Sequence, residues 1–180
     1  DPQPGRETAL RPYESMILVV DPERNLRKKP GGNIVDETDI SSGWELTLYE
    51  TGKSGEGEKE ELNTLLPVSE RHRDFSGIME YRKQVSLKKE HCRIVLEPQY
   101  VYECMEVIVN GEDVGKKICP PYAADITDAV RGGENEIVIR VVNTLIRNAN
   151  TKPGIFGPER AVLEPSGMFG HILLIKKTEN

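Results

Sequence analysis

The sequence is poor in cysteine and in aromatic residues. Its three cysteines, Cys92, Cys104 and Cys119, show no CxxC or other metal-ligand spacing. An odd number leaves at least one thiol unpaired, so a disulfide framework is not expected. Cys104 is expected to be a small buried thiol on the apolar face of its strand. One Trp, six Tyr and three Phe are few for a lectin.

Excess positive charge and long apolar runs are also missing. The net charge is −6 and the pI is about 5.3, whereas a nucleic-acid backbone attracts clustered Lys and Arg. No apolar run approaches the roughly 20 residues of a membrane span. We therefore expect neither a nucleic-acid partner nor a membrane partner. Charged residues make up 30% of the chain, which predicts a lean core.

The apolar residues that are present alternate with a period of two, which predicts β-strands with one buried face. The alternating sets are Trp44, Leu46 and Leu48; Met79, Tyr81, Val85 and Leu87; Met105, Val107 and Val109; Ile137, Ile139 and Val141; Ile172 and Leu174. Asn110-Gly111 predicts a tight hairpin, because both residues tolerate a positive φ. The pattern predicts an all-β fold, a sandwich or jelly roll of antiparallel strands, with Trp44 in the core.

No convincing helix is predicted. Residues 58–66 hold leucines at helical spacing, but Pro67 stops a helix within about two turns. Residues 125–130 can form a single turn capped by Thr127.

The chain divides unevenly. Residues 14–21 predict one strand, and residues 22–39 are rich in Pro, Gly and charge, which predicts a loop. We therefore predict that residues 1–40 form an N-terminal strand and linker that belong to an adjoining domain. The main sandwich is predicted to span residues 41–180, with a mobile surface loop over residues 51–60.

Five segments occur in an order that resembles the galactose-binding-like β-sandwich, the sugar-binding domain of glycoside hydrolases. They are FSGIMEYR at 75–82, EVIVNGEDVG at 106–115, PPY at 120–122 with DIT at 125–127, GENEI at 133–137 leading to VNT at 142–144, and PSGMFG at 165–170. The nearest likeness is to family 2 and to family 106 α-L-rhamnosidase-like proteins. The chain lacks the Trp of the NxWxNRLIGD stretch typical of the latter, and His171 replaces the Pro of the last motif.

The resemblance implies a jelly-roll, galactose-binding-like sandwich that serves a bacterial glycoside hydrolase as a non-catalytic accessory domain. Such a domain supports the catalytic domain and contacts carbohydrate, so both are expected partners. The alternative is an autonomous carbohydrate-binding module that targets the parent enzyme to polysaccharide. The family also implies a periplasmic or secreted location. It allows a structural calcium ion, although the sequence has no Asp-x-Asp-x-Asp loop; no other cofactor is expected.

No catalytic residue is assigned. Hydrolysis of a glycosidic bond by the usual route needs two carboxylates about 5–10 Å apart. Glu103 with Glu106 and Asp125 with Asp128 lie in no recognisable motif. Ser166 is not in a GxSxG elbow, and the three histidines have no metal-binding spacing. We expect the domain alone to be non-catalytic and to have no metal ligands that the sequence identifies.

Four residues are predicted to contact carbohydrate. Tyr122 lies in a Pro-Pro-Tyr loop that offers an exposed ring, and Arg147, Asn148 and Asn150 follow a strand. These groups can converge at one end of the sandwich and bond sugar hydroxyls. The competing interpretation is that the same loops pack against a neighbouring catalytic domain.

The two functions predict different surfaces. A supporting domain should expose an apolar patch of several hundred Å² where its partner packs. A binding module should instead expose an aromatic platform with polar groups beside it. Tyr100 and Tyr102 alternate with Val101, so one face of that tyrosine pair is expected to meet solvent.

Overall fold

A computed structural model describes residues 32–88, 91–150 and 164–178, without the side chains of residues 149 and 150. The described chain is a sandwich of two antiparallel sheets, as predicted. Its strands are β1 (Ile34–Asp39), β2 (Trp44–Glu50), β3 (Glu58–Leu62), β4 (Gly77–Leu87), β5 (Cys92–Tyr102), β6 (Cys104–Val109), β7 (Glu112–Lys117), β8 (Ala124–Asp125), β9 (Gly133–Val142) and β10 (Gly167–Thr178). A 3-10 turn at Val68–Glu70 and a short helix, α1 (Ile146–Asn150), complete the described elements. No described helix is long and apolar enough to cross a membrane.

The two sheets differ in width. One has the strand order β1-β10-β5-β8 and the other the order β3-β2-β4-β9-β6-β7. In the wider sheet β9 lies between β4 and β6 and pairs with both along its length. Because β9 is central, the loops at its two ends are anchored to the rigid middle of the sheet.

The core fills the space between the sheets and confirms the alternating pattern. Trp44 is only 1% exposed, and its indole N–H donates to the carbonyl of Ile40 at 2.7 Å. The alternating residues are buried, except that Val85 and Leu87 pack at the margin. Full burial of one large apolar side chain stabilises a fold by roughly 1.5–3 kcal/mol. Burial of the two facing sets of side chains therefore stabilises the packing of the two sheets.

Tyr81 links the two sheets through the core. The backbone N–H of Met168 in β10 donates to its phenolic oxygen at 3.0 Å. Burial raises the pKa of Tyr81 far above its usual value. The hydroxyl satisfies a backbone group that the core would otherwise leave without a partner.

The prediction of a loop over residues 22–39 is wrong for its last six residues. Residues 34–39 form β1, which pairs with β10 through Thr38 opposite Leu174 and Asp39 opposite Leu173. All six β1 residues are exposed, so an edge strand of this kind shows no alternation that the sequence could reveal. The domain division at residue 41 stays a prediction, although β1 on its N-terminal side belongs to the sandwich. The strand predicted at residues 14–21 lies outside the described residues.

Residues 58–66 form no helix, which agrees with the sequence analysis; residues 58–62 pair with β2 as edge strand β3. The predicted loop at 51–60 accordingly ends at Gly57. A turn does form after Asp125, with the N–H groups of Ala129 and Val130 donating to the carbonyl of Ile126. The prediction that Thr127 caps this turn is wrong. The carboxylate of Asp125 instead accepts hydrogen bonds from the backbone N–H and the hydroxyl of Thr127.

The prediction of a buried Cys104 is also wrong. Met105, Val107 and Val109 occupy the buried face of β6, so Cys104 has the opposite parity and is only half-buried. Cys92 is the buried thiol, and Cys119 is exposed.

Candidate functional site

Three of the sequence motifs meet at one end of β9, around the side chain of Asn143. Its amide nitrogen donates to the carbonyl of Phe75 and to the hydroxyl of Ser166, both at 2.9 Å. Its amide oxygen accepts from the N–H of Gly77 at 2.8 Å. These contacts, which we call the Asn143 junction, fasten two loops to the end of the central strand.

Two glycines at the junction are required by close packing. A Cβ on Gly77 would lie 2.1 Å from the carbonyl oxygen of Tyr49. Gly167 has a φ of +95°, and a Cβ there would lie 2.5 Å from the phenolic oxygen of Tyr81. Neither position can hold another residue without backbone movement.

The Asn110-Gly111 motif and the motif at residues 133–137 meet at the opposite end of β9. Asn110 and Gly111 turn between β6 and β7 with φ values of 53° and 83°, which confirms the tight hairpin. The side chain of Asn110 donates to that of Asn135 at 2.8 Å, and Asn135 donates to the carbonyls of Arg131 and Gly133. The motifs that gave the resemblance therefore serve architecture at both ends.

A groove of about 630 Å³ lies beside the Asn143 junction. Its walls come from the end of β2, the β2–β3 loop, residues 71–75 and Asn148. The charged side chains that line it are Glu50, Lys53, Glu56, Glu58, Arg71, Arg73 and Asp74. Tyr49 and Phe75 add aromatic surface, so the groove combines apolar contact with donors and acceptors of both signs.

Glu60 contacts two of the lining residues. Its Oε2 lies 2.7 Å from Nη1 of Arg71, and its Oε1 lies 3.8 Å from Nε2 of His72. Oε1 is buried and has no hydrogen-bond partner. A carboxylate oxygen in this state can accept a hydrogen bond from a ligand hydroxyl or from water.

Arg147 lies next to the groove, and its guanidinium bonds backbone carbonyls of two loops. It is only 6% exposed, and its guanidinium donates to the carbonyls of Arg73 and Glu164. Burial lowers the pKa of this guanidinium. Arg147 therefore holds the 71–75 wall of the groove in place.

The other three predicted residues are dispersed. Asn148 lines the groove, and its backbone N–H donates to the hydroxyl of Ser76 at 3.1 Å. Tyr122 is half-buried against the core and donates its hydroxyl to the carbonyl of Glu103 at 2.5 Å; burial raises its pKa. Asn150 ends α1, and its side chain lies outside the described residues. The structure brings Arg147 and Asn148 together and leaves Tyr122 outside the lining, while the sugar-binding roles stay predictions.

Sequence reasoning missed most of the groove. Lys53, Arg71 and Asp74 come from two loops that meet only because β3 pairs with β2. The dense polar run at residues 71–74, directly before FSG, was the one available signal.

The outer face of the six-stranded sheet has an apolar row across four strands. Tyr49 is paired with Ile78, Ile78 with Val142, and Val142 with Cys104. Tyr49, Ile78 and Val142 are 40%, 39% and 43% exposed. Ile118, 78% exposed, directly follows the last residue of β7. We call Tyr49, Ile78, Val142 and Cys104 the apolar row.

The neighbouring row on this face is charged. Glu80 is 5% exposed and lies 2.8 Å from Nε of Arg140, which in turn reaches Glu106 at 3.3 Å. Lys116 binds Glu106 at 2.8 Å, and Arg82 binds Glu80 at 3.0 Å. Burial alone would raise the pKa of Glu80, but the hydrogen bonds from the two arginines outweigh it and lower the pKa.

Neither Glu106 nor Asp125 has the raised pKa of a general acid. Lys116 is the main cause of the lowered pKa of Glu106, whereas a general acid needs a raised one. Burial would raise the pKa of Asp125, but bonds from Thr127 and Arg93 lower it overall. Across the described residues, no group of three or more His, Cys, Asp or Glu could hold a metal ion.

The fold is shared with large carbohydrate-acting enzymes. No protein-family model matches the chain. It superposes on the rhamnosidase from Novosphingobium sp. PP1Y with a TM-score of 0.69 and 27% identity, covering 88% of this chain and 16% of that one. The chain therefore has the fold of a sandwich domain found in these glycoside hydrolases.

A second solved structure shares the fold, and one known protein matches part of the sequence. A glycosyl hydrolase family 2 member from Bacteroides cellulosilyticus DSM 14838 has the same fold, with a TM-score of 0.57 and 20% identity over 79% of this chain and 21% of that one. A putative beta-glucuronidase from Formosa agariphila is 38% identical over 73 residues, which are 38% of this chain and 6% of that protein. The sandwich domain thus spans less than a quarter of each of these relatives.

Proposed function

We propose that this sandwich is a non-catalytic accessory domain that packs against the catalytic domain of a glycoside hydrolase. The observation that supports this proposal is the apolar row. The outer face of an antiparallel sheet is normally polar. Here four adjacent strands contribute apolar residues at paired positions, which form a row across the sheet. Contiguous exposed apolar surface of this kind is typical of an interface.

The proposed occupant of the row is another part of the same polypeptide. The sandwich spans 16% of the rhamnosidase and 21% of the family 2 protein, so such enzymes hold most of their mass in other domains. A covalently attached neighbour needs little intrinsic affinity, because its effective concentration is high. A modest row of side chains is therefore sufficient for docking.

The groove lies where the proposed interface ends. Tyr49 belongs to both the apolar row and the groove lining. A catalytic domain on the row would therefore lie next to the β2–β3 loop. Lys53, Arg71 and Asn148 would then be placed to bond hydroxyl groups of a carbohydrate at the domain boundary.

Thermal unfolding of the full parent enzyme tests the docking. Val142→Asp places a charge in the proposed interface, so the sandwich should unfold in a separate, earlier calorimetric transition. Val35→Asp, which changes a valine 62% exposed on β1 of the other sheet, should leave one joint transition. Equal effects of the two substitutions in the parent enzyme would contradict docking through this face.

The second candidate function is an autonomous carbohydrate-binding module. It is favoured by a different surface, a set of stacked aromatic rings on the four-stranded sheet. Retention of the 180-residue chain on an insoluble polysaccharide, together with independent unfolding in the parent enzyme, would support this alternative.

A further inference from the structure

Three aromatic rings lie together on the outer face of the four-stranded sheet. Phe169 stacks with Tyr100 at a centroid distance of 5.1 Å and with Tyr102 at 5.7 Å, with interplanar angles of 24° and 12°. Val101, which separates the two tyrosines, is 4% exposed, and Met168, which precedes Phe169, is 0% exposed. Both side chains belong to the core. Alternation along each strand therefore places the three rings on the opposite, solvent side.

Part of this aromatic surface is open. Tyr100 is 45% exposed. Tyr102, which is paired with Gly167, is half-buried. Stacking on Phe169 holds both tyrosines in one orientation. A ligand that packs on them would therefore restrict few additional side-chain torsions, which lowers the entropy cost of binding.

The side chain of Gln99 lies beside the Tyr100 ring, because both approach the same position at Gly170. The strand bulges at Gly170, where a Cβ would lie 3.1 Å from Cδ2 of Tyr100. The next residue, His171, donates its backbone N–H to the side chain of Gln99 at 3.0 Å. Its imidazole is 70% exposed and lies 2.8 Å from the carboxylate of Asp39.

Asp39 is an ionised acceptor over the whole neutral range. The hydroxyl of Ser41 is the main cause, followed by its backbone N–H and by His171, and together they lower the pKa of Asp39 to about 2. The Asp39 and His171 side chains thus offer hydrogen-bonding groups two residues along β10 from Phe169.

We propose that Tyr100, Phe169 and Tyr102 form a binding platform for a pyranose ring of a carbohydrate. A pyranose has an apolar face of C–H groups and a rim of hydroxyls. The C–H face packs on the Tyr100 ring, and the hydroxyls bond Asp39 and His171. The platform lies on the sheet opposite the apolar row, so a domain docked on that row leaves the platform accessible.

Binding to the 180-residue chain tests the platform. The probes are L-rhamnose, D-glucuronate, D-galacturonate and cellohexaose at millimolar concentration, followed by calorimetry and by amide NMR shifts. At least one probe should bind and shift the amides of Gln99, Tyr100 and His171. Tyr100→Ala should weaken that binding at least roughly tenfold, whereas Tyr100→Phe keeps the ring and should retain most of it.

Ile34→Ala is the matched control, because Ile34 is a large apolar residue, 57% exposed on β1, that belongs to neither the groove nor the platform. It should leave the affinity unchanged. The proposal is overturned if no probe binds the folded chain, or if Tyr100→Ala and Ile34→Ala have the same effect. Neither result affects the docking test, because that test measures unfolding of the parent enzyme through Val142.

Discussion

At the scale of single residues, buried amides hold the loops of this sandwich at both ends of β9. Asn143 makes three hydrogen bonds to two loops, and Asn135, which is fully buried, bonds the turn before its own strand. A buried polar atom that loses its partner costs about 1–3 kcal/mol. These side chains therefore determine loop positions that the apolar core alone does not define.

Asn143→Ala should destabilise the sandwich by about 2–3 kcal/mol, because the Gly77 N–H and the Phe75 carbonyl lose their partner. Denaturant unfolding of the 180-residue chain measures the change. Thr144→Ala is the control, since Thr144 is exposed and makes one long bond, 3.4 Å, to Glu103. Similar midpoints for the two variants would show that the junction contributes no stability.

The lowered pKa of Asp39 predicts that the stability of the sandwich depends on pH in the acidic range. Its pKa is lowered from 3.8 to about 2 in the folded chain, so the stabilisation is present above pH 3.8 and is lost as the pH falls towards 2. Asp39→Asn should lower the melting temperature at pH 6. Near pH 2 the variant and the original chain should have the same melting temperature. A melting-temperature difference that stays constant over this range would contradict the lowered pKa.

At the scale of elements, the outer face of the six-stranded sheet divides into an apolar row and a charged row. The charged row joins β4, β9, β6 and β7 through Glu80, Arg140, Glu106 and Lys116. Only Glu80 is deeply buried, so the free energy of the row depends mainly on whether that carboxylate keeps its partners. The exposed end of the row contributes less, because water screens it.

Arg140→Met should destabilise the chain by roughly 1–2 kcal/mol, below the usual cost of breaking a buried pair, because Arg82 still binds Glu80. Lys116→Met removes a fully exposed cation of the same row and should change stability little. Denaturant midpoints compare the two variants. A larger loss for Lys116→Met would show that burial of Glu80 is not the controlling factor.

At the scale of the whole molecule, the sandwich has two outer faces of different chemistry. The six-stranded sheet exposes the apolar row beside the groove, and the four-stranded sheet exposes the aromatic platform. Because the faces are opposite each other, a docked domain on one leaves the other open. The arrangement allows one domain to support a catalytic neighbour and to bind carbohydrate at the same time.

The sequence by itself determined the strands with one buried face, the Asn110-Gly111 hairpin and the position of Trp44. Period-two alternation and turn chemistry are local, so they can be read directly from neighbouring residues. The same reasoning failed at β1 and β3, because edge strands bury too little to show a pattern. It could not predict the contacts of Arg147 and Tyr122, because their partners are distant in the chain. The tertiary structure alone decided the apolar row, the groove and the aromatic platform, since each depends on strand register between residues distant in the chain.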